Sequence, residues 1–344
     1  MFIPALSGLR GFAALLVLFS HASQRQLFPD ILGRGAGYMG VMLFFTLSAF
    51  LMTILYFERV PEKGNLTSFW VARFSRIYPL HFLLLSIALG AFYIGANPVI
   101  FPYAINMGTY LENIFLVGRF NVFWTISTEF QFYLVFTVLW VLAYKSSKPK
   151  TIMAAVSILA CFAVFLDIYA YPPGPVYKTI HFFAVGILAG LLFITFDFRR
   201  YSISADKFLA LLLVLFLASL PAPYEFLTGR TFTGFWSPWL LILCFLIIFM
   251  CSISNGFVAK MLGSKTGIFL GNLSFAIYLT HVPVQHLTKH VFQGQAMFLQ
   301  FGIVLLVTFL LSSLIYYLFE EPFRLFLRKQ MGLKEAPLVD PKTI

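Results

Sequence analysis

The sequence predicts an all-α integral membrane protein, a bundle of about ten transmembrane helices with both termini in the cytoplasm. Three observations support this class: 60% of the 344 residues are hydrophobic, only 11% are charged, and the mean hydropathy is +0.89. Soluble domains average about 45–50% apolar and about 25% charged residues. The composition therefore excludes an ordinary soluble enzyme, a disordered regulator and a secreted disulfide scaffold.

Apolar runs that approach the roughly 20 residues needed for a membrane span recur along the chain. We predict ten spans, at residues 7–27, 36–57, 78–97, 123–144, 151–171, 176–196, 207–222, 236–254, 267–287 and 296–319. The stretch from Pro98 to Asn121 is apolar only in patches, which favours an interfacial or re-entrant segment and leaves an eleventh span open. The spans form one predicted transmembrane domain, 1–330, and residues 331–344 form a short cytoplasmic tail.

Basic residues predict the orientation, because Lys and Arg are retained on the cytoplasmic side of a membrane. Of the 24 Lys and Arg residues, 17 fall in one alternate set of loops and 6 in the other, while Arg10 lies inside the first span. The loop Lys145-Ser-Ser-Lys148-Pro-Lys150 belongs to the richer set. We therefore expect both termini in the cytoplasm, and we attribute the net charge of +11 to topology rather than to nucleic-acid binding.

Ionisable side chains inside predicted spans are functional candidates, because each costs about 2.5–3.5 kcal/mol to insert. On one helix, Arg10 and His21 lie within about 20° of each other and about 16 Å apart along the axis. They can line one cavity; alternatively, Arg10 snorkels to the headgroups and His21 is a solvated cap. Glu129 is predicted about one turn inside the outer face, where it either orients a ligand or acts as an acid or base, or else pairs with Arg119 or another arginine.

Two arginines, Arg73 and Arg76, share one helical face beside Pro79, between the second and third predicted spans. Guanidinium groups bind phosphate oxygens through paired hydrogen bonds, so these residues suit a phosphorylated cytoplasmic cofactor. Anchoring to anionic lipid is the alternative.

A polar stripe in the ninth predicted span consists of Ser274, Tyr278 and His281, which fall on one helical face. The stripe either contacts substrate or packs helices through hydrogen bonds. The histidines show no zinc-like spacing with carboxylates, and we predict no metal.

Several motifs follow one another in a fixed order. They are Leu6-Ser-Gly-Leu-Arg10-Gly, Arg10 with His21, Gly37 to Ser48, Arg73 and Arg76 with Pro79, Trp124 to Tyr133, Ser274 to Pro283, and Glu320-Glu321-Pro322-Phe323. In their order and spacing, over most of the chain, these motifs resemble the acyltransferase family 3 of multi-span membrane proteins. Ala49 departs from the family pattern, which has glycine after the serine at position 48.

The resemblance implies a membrane-bound O-acyltransferase that moves an acyl group, usually acetyl from cytoplasmic acetyl-CoA, to a hydroxyl of a cell-surface glycan, a lipid-linked sugar or a small molecule. Arg73 and Arg76 would bind the coenzyme phosphates. His21 would be the general base or the acylated carrier. Arg10 would orient the site or stabilise negative charge on the thioester oxygen, and Glu129 would position His21 or the acceptor.

We expect a multi-pass protein of the bacterial cytoplasmic (inner) membrane. A transporter or flippase of an anionic or glycan substrate is the alternative class. In that class Arg10, His21 and Glu129 would form a proton or anion pathway, without turnover of a thioester.

Overall fold

The computed structural model describes residues 2–97, 101–167, 179–198, 201–232, 234 and 237–331. This part of the chain is helical and contains no β-strand. Its helices are α1 (Pro4–Gln24), α2 (Ala36–Met52), α3 (Lys63–Tyr93), α4 (Met107–Ile114), α5 (Trp124–Ala143), α6 (Pro149–Asp167), α7 (Ile180–Thr195), α8 (Ser202–Ala218), α9 (Pro221–Thr228), α10 (Pro238–Ile253), α11 (Phe257–Leu262), α12 (Lys265–Val291), α13 (Met297–Ile315) and α14 (Glu321–Gln330). A π-helical turn, Thr53–Phe57, extends α2, and a second, Tyr316–Glu320, joins α13 to α14.

Six helical stretches of the described chain are long and apolar enough to cross a membrane: Pro4–Gln24, Ala36–Phe57, Lys63–Tyr93, Asn121–Ala143, Lys265–Val291 and Met297–Gln330. They confirm the all-helical membrane class. Three further apolar stretches, in α6, α7 and α10, are shorter than these six, and α8 bends into α9 by 83°. The count of ten spans and the orientation of the termini stay predictions.

The largest departure from the predicted boundaries is α3, which has 31 residues and begins at Lys63 rather than near residue 78. Pro79 lies inside this helix. Proline removes one backbone donor, but its φ near −65° is compatible with a helix. Arg73 and Arg76, predicted between two spans, therefore lie on the same continuous helix as the third span.

The segment predicted as interfacial or re-entrant contains one short helix. Residues 98–100 lie outside the described chain, and α4 that follows has only 8 residues. Asn106 caps this helix, accepting the Thr109 N–H at 2.9 Å. Residues 101–121 thus form no span of their own.

The chain divides into two compact units, and α2 is central to the packing of the first, which comprises Met1–Pro61 and Thr128–Asn272. α2 packs against α1, α7 and α10. On the α1 side, a Cβ at Gly40 would lie 2.7 Å from the Ala13 carbonyl oxygen. On the α7 side, a Cβ at Gly186 would lie 2.8 Å from Ala49 Cβ. Glycines thus bring the helix backbones together, as small residues do in membrane bundles.

The second unit comprises Glu62–Ser127 and Leu273–Ile344. Within it α3 packs against α4 and α14. Tyr103 is buried and donates a hydrogen bond to the Leu279 carbonyl at 3.1 Å. The predicted tail, except for Met331, lies outside the described residues.

Candidate functional site

Arg10 and His21 both lie on α1, which runs without interruption from Pro4 to Gln24. Both side chains are half-buried. Because the helix is continuous, the predicted spacing of about 16 Å along one face applies to this pair. The first unit thus carries an arginine and a histidine at two depths of one helix.

The loop after α1 is tied to the last turn of the helix, next to His21. The Arg25 guanidinium donates to the His21 carbonyl oxygen at 3.1 Å. Ser23 donates its hydroxyl to Asp30 Oδ1 at 2.8 Å, and the Gly33 N–H donates to the same oxygen at 3.1 Å. These contacts order the chain that surrounds the histidine. No sequence pattern singles out Asp30 or Ser23.

Glu129 is held by two hydroxyl groups. Ser48 on α2 donates to its Oε1 at 2.7 Å, and Tyr133, one turn along α5, donates to the same oxygen at 2.5 Å. Both distances lie within the range of ordinary O–H···O hydrogen bonds. Within the described chain no hydrogen bond reaches Oε2, and no guanidinium is among the partners of Glu129. The alternative pairing of Glu129 with an arginine is therefore not formed by the described residues.

The position of α5 places Glu129 deeper in the first unit than the sequence suggested. Ser48 lies about 16 Å along α2 from Gly37, which is in the first turn of this helix. The distance follows from the rise of about 1.5 Å per residue. The partner of Glu129 therefore lies well along α2 rather than near its start. Tyr144 reaches the Phe57 carbonyl at 2.7 Å, so α2 and α5 run parallel and α5 begins beside the middle of α2.

Helix α2 also gives the depth of Glu129 relative to α1, which runs antiparallel to it. Gly37 lies against Ser20, next to His21, and Gly40 lies against Ala13. Ser48 is two turns farther along α2, toward the N-terminal end of α1. The Glu129 carboxylate is therefore closer in depth to Arg10 than to His21.

Arg73 and Arg76 lie on α3 in the second unit. Arg73 is 7% exposed and Arg76 is half-buried. Glu320, at the end of the π-turn before α14, interacts electrostatically with Arg76. Sequence reasoning noticed this glutamate only as part of a terminal motif and missed its proximity to Arg76. The signal that could have found it is the need of an arginine at a membrane entrance for an acidic neighbour.

A buried histidine, His81, lies one helical turn beyond Tyr78 on α3. Its Nε2 donates to the Asn113 carbonyl oxygen at 3.0 Å, because that carbonyl can only accept. Its ring lies 5.5 Å from the ring of Phe123. His81 therefore joins α3 to the end of α4.

The polar stripe of Ser274, Tyr278 and His281 is buried in the second unit. Tyr278 donates to the Val122 carbonyl at 3.1 Å, and its hydroxyl oxygen lies 3.0 Å from Thr125 Oγ1. His281 Nδ1 donates to the Ile277 carbonyl at 3.0 Å, within the same helix. These contacts support the packing interpretation of Tyr278, and the substrate interpretation of the stripe stays a prediction.

The candidate residues therefore fall into two sets. Arg10, His21 and Glu129 belong to the first unit; the arginine pair and the polar stripe belong to the second. No hydrogen bond joins Glu129 to His21 in the described chain. Among the described residues there is also no cluster of three or more histidine, cysteine, aspartate and glutamate side chains that could hold a metal ion.

Comparison with known proteins gives one family match that covers almost the whole sequence. The profile of the acyltransferase 3 family, described as an acyltransferase domain, matches residues 3–317. No solved structure matches the chain.

Three similar proteins are named as acetyltransferases. The chain is 27% identical to "Putative acetyltransferase ORF330" of Acidianus two-tailed virus, over 83% of this chain and 84% of the relative. It is 24% identical to "O-acetyltransferase OatA" of Staphylococcus aureus, over 94% of this chain and 57% of the relative. It is 26% identical to "Putative peptidoglycan O-acetyltransferase YrhL" of Bacillus subtilis, over 94% of this chain and 55% of the relative. The chain thus spans somewhat more than half the length of these two bacterial relatives.

Proposed function

Because this chain belongs to the acyltransferase 3 family and is therefore an acyltransferase, we propose that it moves an acetyl group from cytoplasmic acetyl-CoA to a hydroxyl of a cell-surface glycan or lipid-linked sugar. The names of two relatives support O-acetyl transfer, and one of them names peptidoglycan. The single observation that carries the proposal is the continuous α1, which bears Arg10 and His21 on one face inside a membrane span. We place the enzyme in the cytoplasmic membrane of a bacterium, with about ten spans and both termini in the cytoplasm.

The donor site is proposed on α3. Arg73 and Arg76 would bind the phosphates of the coenzyme, since guanidinium groups match phosphate oxygens in geometry and charge.

His21 would act as the general base. Neutral imidazole accepts the proton of the acceptor hydroxyl while that oxygen bonds to the thioester carbon. The carbon–sulfur bond then breaks, and the proton passes from the imidazolium to the departing thiolate, which leaves as coenzyme A. Such proton transfer typically contributes about 100- to 10,000-fold to the rate.

A two-step route is the alternative within the same site. In it the His21 imidazole attacks the thioester carbon, coenzyme A leaves, and the acyl-imidazole then transfers its acyl group to the hydroxyl. In either route Arg10, on the same face of α1 as His21, would orient the site electrostatically, because a guanidinium in a dry cavity interacts strongly with negative charge.

The test uses purified protein in lipid nanodiscs with radiolabelled acetyl-CoA, and it needs no knowledge of the acceptor because slow hydrolysis or self-labelling is measured. His21→Ala is expected to bind acetyl-CoA normally and lose turnover, while the Arg73→Ala/Arg76→Ala variant is expected to lose binding. His290→Ala is the matched control for the histidine, since His290 is exposed. Lys260→Ala/Lys265→Ala is the matched control for the arginines, because both lysines are exposed.

Three outcomes would contradict the proposal. Normal turnover in His21→Ala with normal folding would exclude this histidine as base or carrier. Absence of acetyl-CoA binding by the wild type at saturating concentration would exclude acetyl-CoA as donor. Movement of an unmodified substrate into proteoliposomes without thioester consumption would favour the transporter class instead.

A further inference from the structure

The carboxylate of Glu129 accepts two hydrogen bonds at the same oxygen. Ser48 and Tyr133 each donate to Oε1, at 2.7 and 2.5 Å. Their side chains are almost wholly buried, with relative exposures of 8% and 1%. Glu129 itself is half-buried, and none of the described residues donates to Oε2. The carboxylate is therefore fixed at one oxygen, while its other oxygen accepts no hydrogen bond from the described residues.

The orientation of this carboxylate is built into the helix packing. α2 contacts α1 through Gly40 and α7 through Gly186, so the helix cannot turn about its axis without a backbone clash. Ser48 therefore faces α5 in a fixed direction. Tyr133 adds a second constraint, because residues four apart on a helix lie on one face. Three side chains from two helices thus define where Oε2 points.

The depth of Glu129 decides which part of a substrate can reach it. His21 lies at the end of α1 beside Gly37, whereas Glu129 bonds to Ser48, about 16 Å farther along α2. A group at Glu129 is therefore too far from His21 to orient its imidazole directly. It is equally distant from an acceptor hydroxyl that His21 deprotonates.

We propose that Glu129 Oε2 accepts a hydrogen bond from an amide N–H of the pantetheine arm of the acyl donor, with Ser48 and Tyr133 as its positioning residues. This inference rests on the proposed function. A donor that enters from the cytoplasm and brings its thioester to His21 must extend its arm along α1, past the depth of Arg10 and Glu129. An amide N–H that leaves water for a dry cavity needs an acceptor, and an ionised carboxylate is the strongest available kind.

The binding of two ligands distinguishes this role from general damage to the protein. Coenzyme A contains the pantetheine arm, whereas adenosine 3′,5′-bisphosphate contains phosphates without it. Glu129→Gln is expected to weaken the binding of coenzyme A by about 10- to 100-fold, the effect of losing a hydrogen bond to a charged group. Its affinity for adenosine 3′,5′-bisphosphate should equal that of the wild type. The Arg73→Ala/Arg76→Ala variant should bind both ligands more weakly.

The positioning residues have their own predicted pattern. Ser48→Ala and Tyr133→Phe should each raise the KM for acetyl-CoA several-fold, with a smaller change in kcat. Ser48→Thr, which keeps a hydroxyl, should restore most of the affinity. Thr137→Val is the matched control on α5, because this hydroxyl bonds only to the Tyr133 carbonyl, at 2.8 Å. Glu62→Gln, at an exposed glutamate, is the control for loss of a carboxylate.

The outcomes separate this inference from the function on which it rests. If the wild type binds neither ligand, the proposed acetyl-CoA donor is wrong. If the wild type binds both and Glu129→Gln binds coenzyme A equally well, the pantetheine role is wrong while the function stands. Equal weakening of both ligands in Glu129→Gln would also overturn the inference, because it would show a loss of overall structure.

Discussion

Asp206 on α8 accepts the backbone N–H of Ala259 on α11 at 2.9 Å. The same carboxylate accepts the Val258 N–H at 3.1 Å and the Ser254 hydroxyl at 2.7 Å. Asp206 is 7% exposed and its hydrogen bond from Ala259 is buried, whereas those from Ser254 and Val258 are part-buried. One aspartate therefore satisfies the first donors of α11, which have no partners within their own helix.

Asp206→Ala is expected to lower the free energy of unfolding by about 1–3 kcal/mol, since one buried and two part-buried donors lose their acceptor. Asp206→Asn keeps one acceptor oxygen and should cost less. Thermal unfolding in detergent, followed by tryptophan fluorescence, measures the change. Asp197→Ala, at an exposed aspartate, is the control. An unchanged melting temperature in Asp206→Ala would show that water replaces the carboxylate.

Lys150 and Glu58 form a solvent-exposed ion pair, unlike the hydrogen bonds of Asp206. Their charged atoms are 3.0 Å apart, and their side chains are 41% and 57% exposed. Exposed ion pairs contribute about 0–1 kcal/mol. Lys150→Ala is therefore expected to change stability far less than Asp206→Ala in the same unfolding assay. A larger loss would indicate that the loop around Lys150 depends on this pair for its structure.

Gly186→Ala should destabilise the first unit by about 1–3 kcal/mol, because the new methyl group would overlap α2 at Thr46 and Ala49. Gly90→Ala is the matched control, since a Cβ at Gly90 on α3 meets no atom within 4 Å. The control should be neutral or slightly stabilising, because alanine favours a helix over glycine. Yield of folded protein on size-exclusion chromatography and the melting temperature measure both variants.

Tyr278→Phe tests whether the polar stripe packs the second unit or binds substrate. If Tyr278 is structural, the variant should lose about 1 kcal/mol of stability per hydrogen bond and keep its acyl-transfer rate. Thr125→Val completes a double-mutant cycle, in which a positive coupling energy is expected from the 3.0 Å contact. Loss of activity with unchanged stability would assign Tyr278 to substrate instead.

The predicted orientation is testable with single cysteines. Ser147→Cys lies in the Lys-rich loop and Gln26→Cys follows α1; both positions are exposed. In a background with the three native cysteines replaced, an impermeant maleimide should label Ser147→Cys only from the cytoplasmic side and Gln26→Cys only from the other side. The reversed pattern would overturn the topology and the cytoplasmic donor site together.

Several structural features of this protein can be predicted from residues that are close together in the chain. The boundaries of α1 and of α2 with its π-turn are set by continuous apolar runs, and the relation of Arg10 to His21 needs only helix geometry. The partnership of Glu129 with Tyr133 could also have been predicted, because they are one turn apart. These features depend on residues close together in the chain.

Other features could not be predicted, because they depend on which helices meet. Ser48 and Glu129 are 81 residues apart, and no spacing rule connects them. The depth of Glu129 depends on how α5 packs against α2. Hydropathy identifies a span but does not give the depth of a residue relative to a neighbouring helix. Asp206 likewise resembles any polar residue near the start of a helix until α11 is placed against it.

The packing of α2 restricts how this enzyme can change its substrate range. A helix that touches α1 and α7 through backbone at Gly40 and Gly186 cannot accept larger residues on those faces without displacing Ser48. On the proposed donor-arm role of Glu129, new specificity for a longer acyl chain or a different donor arm is most accessible through α5, whose contact with Ser48 is made by a side chain. Mutational libraries aimed at donor choice should accordingly vary α5 around Glu129 and leave α2 unchanged.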